Sequence, residues 1–242
     1  MRAVILAGGK GTRLLPYSTV LPKPLMPIDD KPILEIVIRQ LKYYGFKKIT
    51  IAVGHLAELI EAFFGDGKKF GVKIDYSRET KPLGTAGPLA LIRNLKEPFL
   101  VMNGDLLTTL DYADFMKCHK KQGVTPSGVP LGMATMGIYE KKVKIDLGII
   151  KTCEGDLVEE YIEKPSLRHD ISTGIYAFNP SVLKFIPKNK HFDLPDLIRI
   201  LIKNKMPVKT YRIKGYWLDI GRHDDYSLAV EEFSNNRCKF LK

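Results

Sequence analysis

The sequence predicts an α/β protein, with a doubly wound mixed sheet carrying a smaller β-rich lobe. Two observations predict the sheet and one the lobe. Val4-Ile5-Leu6-Ala7 is continuously apolar rather than alternating, as a parallel strand covered on both faces requires. Through the first half of the chain such short runs alternate with helical patterns, which is the signature of strands joined by crossover helices. After residue 130 the pattern shifts to closely spaced strand-like runs separated by turns.

Each element has its own local reason. Ile33, Leu34, Ile36, Val37, Ile38 and Leu41 mark a helix, with Pro32 near its start and Gly45 past its end. "KKITIAV" (47–53) reads as a strand, "LAELIEAFFG" (56–65) as a short helix with a glycine stop, and "GVKIDYS" (71–77) as a strand. "TAGPLALIRNL" (85–95) is expected to open a helix. "PFLVMNGD" (98–105) is a buried strand ended by Asn103-Gly104, and 111–123 a helix. "GVTPSGVP" (123–130) reads as a loop, an insertion of glycine and proline with little to pack. Strands are expected at 131–139, 147–152, 156–164 and 172–179, with Glu154-Gly155-Asp156 as a turn. Helices follow near 194–204 and 223–235, with strands "PVKTYRI" and "YWLDI" between them. No internal repeat is present, and no hexapeptide β-helix is expected after the last helix.

The 242 residues are 45% apolar, enough to bury a real core as one domain. The net charge of +11 attracts phosphates, whether on nucleotides, nucleic acid or membranes, without selecting among them. Cys118, Cys153 and Cys238 are odd in number and widely spaced, so they form neither a disulfide framework nor a zinc pattern. The apolar run at residues 3–7 is too short for a signal peptide or membrane span. A reducing cytoplasm is therefore expected.

The most informative stretch is "LAGGKGTRLLP" (6–16), which places three glycines and two basic residues within Gly8–Arg13. Glycines where a strand ends let phosphate oxygens approach backbone N–H groups, although a tight turn alone also explains them. Arg13 is suited to grip a phosphate through two N–H groups. The spacing fits neither G-x-G-x-x-G nor the G-x-x-x-x-G-K-[ST] loop. Downstream, Lys23 lies between Pro22 and Pro24, which fix φ and hold the lysine on a stiff segment.

Together with "PKPLMPI" (22–28), the opening loop closely resembles the signature of the sugar-1-phosphate nucleotidyltransferases, also called nucleotide-sugar pyrophosphorylases. The resemblance continues in order through "KPLGTAGPL" (81–89), "VMNGD" (101–105), "IEKP" (162–165), "STGIY" (172–176) and "WLDIG" (217–221), and so covers nearly the whole chain. It implies a fold of the nucleotide-diphospho-sugar transferase type, in a single domain. Its Rossmann-like nucleotide part would span about 1–110, its sugar-binding part about 111–222, and the C-terminal helix would follow. It implies a reaction in which a nucleoside triphosphate and a sugar 1-phosphate combine, with Mg²⁺, and release pyrophosphate.

By this resemblance Arg13, Lys23, Asp105 and Asp219 are the catalytic residues, and Asp105 and Asp219 the metal ligands. The nucleotide would lie against Leu6, Ala7, Gly8, Gly9, Gly11, Thr12 and Arg13, against Pro82, Gly84, Thr85 and Gly87, and against Asn103 and Gly104. The sugar phosphate would meet Gly148, Glu163, Lys164, Thr173 and Gly174, with Glu163 on sugar hydroxyls and Lys164 on the phosphate. Physical chemistry agrees. Mg²⁺ takes one or two carboxylates and completes its shell with water and substrate phosphates. A sugar phosphate oxygen is already an anion and needs no general base, so positioning and charge stabilisation must carry the rate. His55, His119, His169, His191 and His223 are scattered, and none is assigned a catalytic role.

"PLGTAGPLALI" resembles mannose-1-phosphate guanylyltransferases more than thymidylyltransferases, which usually carry a glutamine in this loop. The expected pair is GTP and mannose 1-phosphate, with thymidylyl, uridylyl or adenylyl transfer to glucose 1-phosphate or another sugar 1-phosphate as the alternatives. Ser172 and Thr173 depart from the Asn-Ala common in the family, and Ser18 stands where threonine is usual. A catalytically silent nucleotide-sugar sensor is a competing reading, opposed by the intact Arg13, Lys23, Asp105, Lys164 and Asp219. A nucleic-acid-binding protein is suggested only by charge and lacks a clustered basic-aromatic motif. No nucleic-acid or membrane partner is expected, and a homo-oligomer is compatible with this reading.

Overall fold

The computed structural model describes residues 1–121 and 132–241. The 123–130 loop lies outside the described residues. Along the chain run β1 (Arg2–Ala7), β2 (Pro27–Ile28), β3 (Lys31–Pro32), α1 (Ile33–Tyr43), β4 (Lys48–Val53), α2 (Ala57–Phe64) and β5 (Lys73–Arg78). Then come β6 (Phe99–Asn103), β7 (Leu106–Thr108), α3 (Tyr112–Lys120), β8 (Ala134–Lys144), β9 (Ile149–Thr152), β10 (Val158–Ile162) and β11 (Ser166–Phe178). The chain closes with α4 (Leu194–Lys203), β12 (Val208–Arg212), β13 (Trp217–Asp219) and α5 (His223–Phe240).

Seven strands form the central sheet in the order β12-β8-β11-β6-β1-β4-β5. The pairs β6-β1, β1-β4, β4-β5 and β12-β8 are parallel, while β11 runs antiparallel to both β6 and β8. One reversed strand makes the sheet mixed. β1 shows why its sequence is unbroken apolar. Ala3, Ile5 and Ala7 pack into one core cluster with α1, α2 and α3, and Val4 packs into another with α4 on the opposite face. A third cluster, with Leu14, Met26, Ile220 and Phe233, lies under α5.

The register sets the carboxyl ends of three strands side by side. Leu6 of β1 pairs with Ala52 of β4 and Asn103 of β6. The loops after β1, β4 and β6 therefore leave the sheet together, and ligands of open α/β sheets gather at such a place.

The expected helix at 85–95 is not formed. Only a 3-10 turn at Gly87–Leu91 appears. Pro88 stands at its start, and the Ala86 and Gly87 amides donate to the Phe192 carbonyl instead of entering a helical ladder. The lobe strands run longer than expected. β8 continues to Lys144 and β11 begins at Ser166, pairing across the exposed stretch Glu140–Lys144. The β9-β10 hairpin forms its own two-stranded sheet beside them. α5 also extends beyond 235 and is kinked at Asn236.

Candidate active site

A cleft of about 700 Å³ opens over the carboxyl ends of β1, β4 and β6. Its walls include Leu6–Arg13, Lys23, Pro24, Gly54, His55, Glu79–Pro82, Gly84, Thr85, Pro88, Asn103–Asp105 and His191. Lys10, Arg13, Lys23 and Lys81 face Glu79 and Asp105 there, so the fixed charge is net positive. That is the sign a triphosphate requires.

The loop after β1 keeps its shape through a few defined contacts. Gly11 adopts φ +64, a left-handed conformation that glycine enters without strain. Its carbonyl accepts from the buried Ser18 hydroxyl at 2.8 Å. Leu14 is fully buried, which fastens the loop by about 2 kcal/mol. Arg13 stays exposed beside Gly221, where a Cβ would come within 3.3 Å of its Nη1.

Lys23 and the two aspartates meet although they are far apart in sequence. Asp105 follows β6, and β13 pairs antiparallel with β7, setting Asp219 opposite Leu106. The Ile220 amide donates to the Asp105 carbonyl at 3.1 Å. Lys23 Nζ is largely buried; it donates to the Asp105 carboxylate and stands 4.0 Å from Asp219 Oδ1. Burial raises the Asp219 carboxyl above the usual carboxylate range, and the facing Asp105 raises it further, against the pull of Lys23 and Arg13. Two hard oxygen donors that repel each other suit a dication such as Mg²⁺. Among the described residues no group of three or more histidine, cysteine or acidic side chains is placed to hold a metal ion, so further ligands would come from substrate or water.

Of the expected nucleotide residues, all but Gly87 line this cleft. Gly87 is buried behind the wall, where a Cβ would stand 2.9 Å from the Leu83 side chain. The expected sugar residues do not line it. Gly148, Glu163 and Lys164 lie on the lobe, where the Tyr161 hydroxyl donates to Glu163 Oε2 at 2.9 Å and Lys164 Nζ is 3.8 Å from Glu163 Oε1. Lys164 adopts φ +42, rare for a lysine. Thr173 is buried; its hydroxyl donates to the Gly137 carbonyl at 2.8 Å and its own carbonyl accepts from Trp217 Nε1 at 3.0 Å. Gly174 packs against the Asn103 side chain.

The structure adds residues that the sequence left unassigned. Glu79 projects from the end of β5 against the glycine loop, so that a Cβ at Gly8 would stand 2.5 Å from its Oε1. Its Oε2 accepts from the Leu83 amide at 3.0 Å. His55 and His191 also line the cleft. None of these sits in a local pattern, and a lone charge among glycines and prolines reads as solvated.

The chain matches the nucleotidyl transferase family model over residues 2–236. It is 35% identical over 99% of its length to a UTP–glucose-1-phosphate uridylyltransferase of Synechocystis sp., and 34% identical over 93% to a mannose-1-phosphate guanyltransferase of Schizosaccharomyces pombe. It spans 65% and 62% of those relatives, respectively. Among solved structures it resembles HddC from Yersinia pseudotuberculosis, with a TM-score of 0.73 and 27% identity over 96% of this chain and 99% of that one. A second HddC structure, complexed with GMP-PN, gives a TM-score of 0.70 at 26% identity over the same shares. With its glycine loop, paired aspartates and mixed sheet in that company, the chain belongs to the nucleotidyl transferase family.

Proposed function

We propose that the protein transfers a nucleotidyl group from a nucleoside triphosphate to a sugar 1-phosphate, with GTP and mannose 1-phosphate as the preferred pair. The observation that carries this reading is the convergence of Arg13, Lys23 and Asp105 on the wall of a cationic cleft, with Asp219 standing 4.0 Å from Lys23 behind them. An oxygen of the sugar phosphate attacks the α-phosphorus as the bond to the bridging oxygen of the leaving diphosphate breaks. Pyrophosphate departs with the electron pair, and no proton need move. The backbone N–H groups of Gly8–Thr12 cradle the triphosphate, Arg13 offsets charge on the departing phosphates, and Lys23 faces the reacting centre. Asp105 and Asp219 would hold Mg²⁺, which supplies charge neutralisation to the triphosphate. Glu163 and Lys164 take the sugar hydroxyls and sugar phosphate from the lobe.

Guanine is supported by Glu79. A carboxylate accepts the two adjacent donors, N1–H and N2–H, that only guanine presents on one edge, and it retains acceptor capacity beside the Leu83 amide. The GMP-PN complex of the structural relative agrees. The free thiols of Cys118, Cys153 and Cys238 fit work in a reducing cytoplasm, and among the described residues no helix is long and apolar enough to cross a membrane.

A matrix of nucleoside triphosphates against sugar 1-phosphates, scored by pyrophosphate release, tests the proposal. GTP with mannose 1-phosphate should be fastest. A clear preference for UTP with glucose 1-phosphate, the pair in the name of the Synechocystis relative, would overturn the base and sugar while keeping the reaction. No release with any pair, together with tight nucleotide-sugar binding, would favour a silent sensor.

A further inference from the structure

The loop at Leu83–Gly87, one wall of the cleft, is held by a segment more than a hundred residues away. The Phe192 amide donates to the Leu83 carbonyl at 2.9 Å, and the Ala86 and Gly87 amides both donate to the Phe192 carbonyl at 2.9 Å. Next to this backbone strap, Asp193 Oδ1 accepts from the Thr85 amide at 2.9 Å and from the Thr85 hydroxyl at 3.0 Å. Gly84, at φ +76, lets the two segments close, since a Cβ there would stand 2.7 Å from Asp193 Oδ1.

The arrangement departs from ordinary helix capping. Asp193 occupies the N-cap position of α4 but makes no side-chain bond to its own helix. The Thr85 hydroxyl takes over, accepting from the Leu194 amide at 2.8 Å. The cap of α4 is thus supplied by the cleft wall, and the Asp193 carboxylate is freed to organise that wall. Its other oxygen lies 4.0 Å from Nδ1 of His191, which itself lines the cleft.

We propose that Asp193 is a positioning residue for the nucleotide. Through Thr85 it holds the backbone of the 83–87 wall in its binding geometry. The proposal rests on the nucleotidyl-transfer reading, and a wall held ready before binding lowers the cost of ordering it. The Asp193 side chain has no place at the reacting phosphates, so its loss should appear in nucleotide affinity rather than in turnover at saturation.

The test compares Asp193→Ala, Asp193→Asn and Thr85→Val by pyrophosphate release, titrating nucleotide and sugar phosphate separately, with direct binding of a nucleoside triphosphate as the non-catalytic readout. Asp193→Ala should raise the nucleotide KM and dissociation constant about tenfold, equivalent to about 1.4 kcal/mol, leaving kcat and the sugar-phosphate KM near wild type. Asn retains the Oδ1 acceptor, so Asp193→Asn should recover most of the affinity. Thr85→Val should weaken nucleotide binding in the same selective way, which keeps the test decisive if the alanine variant folds poorly. An unchanged nucleotide KM, a fall in kcat with both KM values unchanged, or failure of Asn to rescue would each overturn the proposal. Failure of the wild-type protein to bind or turn over any nucleoside triphosphate would instead sink the underlying reading.

Discussion

Replacing Lys23 with methionine keeps most of the length of the side chain and removes its charge from between two carboxylates. At 4.0 Å from Asp219 the ammonium interacts by about 4 kcal/mol at an effective dielectric of 20. The Asp219 side chain is 41% exposed, so screening leaves about 1 kcal/mol of that. The Asp105 contact is more enclosed, with the two side chains 10% and 22% exposed, and breaking an enclosed pair costs at most about 3–5 kcal/mol. A net loss of about 2–4 kcal/mol lowers Tm by roughly 5–12 °C in a domain of this size. Under saturating substrates kcat should fall by roughly 10²–10³, the scale for losing one preorganised electrostatic contributor. Thermal melts and pyrophosphate release measure the two effects separately. The Tm deficit should shrink in acid as Asp219, held above its ordinary value, takes up its proton. A kcat close to wild type would show that Lys23 is a structural counter-ion and would refute its place at the reacting phosphates. An unchanged Tm would refute the electrostatic load assigned to the aspartate pair.

Further variants probe the other parts of the site. Asp219 is held above its ordinary value of 3.8, so the folded state holds its proton more tightly than the unfolded chain, and stability is lost as pH rises from 3.8 through the folded value. Asp219→Asn should therefore melt above wild type at neutral pH, converge with it below that window, and still lose activity; Tm measured against pH checks this. Glu79→Gln trades a charged acceptor for a neutral amide and should cut the GTP-over-UTP ratio of kcat/KM by roughly 10–100-fold, the scale for a hydrogen bond to a charged group. Gly84→Ala sets a methyl group 2.8 Å from the Phe192 carbonyl oxygen at φ +76, and should both lower Tm and raise the nucleotide KM.

Legibility of the fold in the sequence followed burial. β1 could be read because both its faces are covered, so its apolar run had no competing explanation. The start of β11 could not. Ser166–Asp170 pairs with Glu140–Lys144 on the exposed lobe, where no core imposes an alternating pattern. The stretch 85–95 carries apolar residues at helical spacing, but the Phe192 carbonyl, more than a hundred residues away, competes for its amides. The same distance hid Asp193. The motifs point to Asp105 and Asp219, and β13-β7 pairing accounts for their meeting. Glu79 reaches the glycine loop only because β1, β4 and β5 lie side by side, a fact of sheet order that no local stretch records. The motif assigns Thr173 to the sugar, while its buried hydroxyl donates to the Gly137 carbonyl.

Direct attack of one anion on another, with the protein contributing charge and placement but no covalent link, has a stereochemical consequence. A nucleoside triphosphate made chiral at the α-phosphorus by sulfur substitution should yield a nucleotide sugar with that centre inverted, as one in-line displacement requires. Retention of configuration would mean two displacements through a nucleotidylated side chain, and would contradict the account.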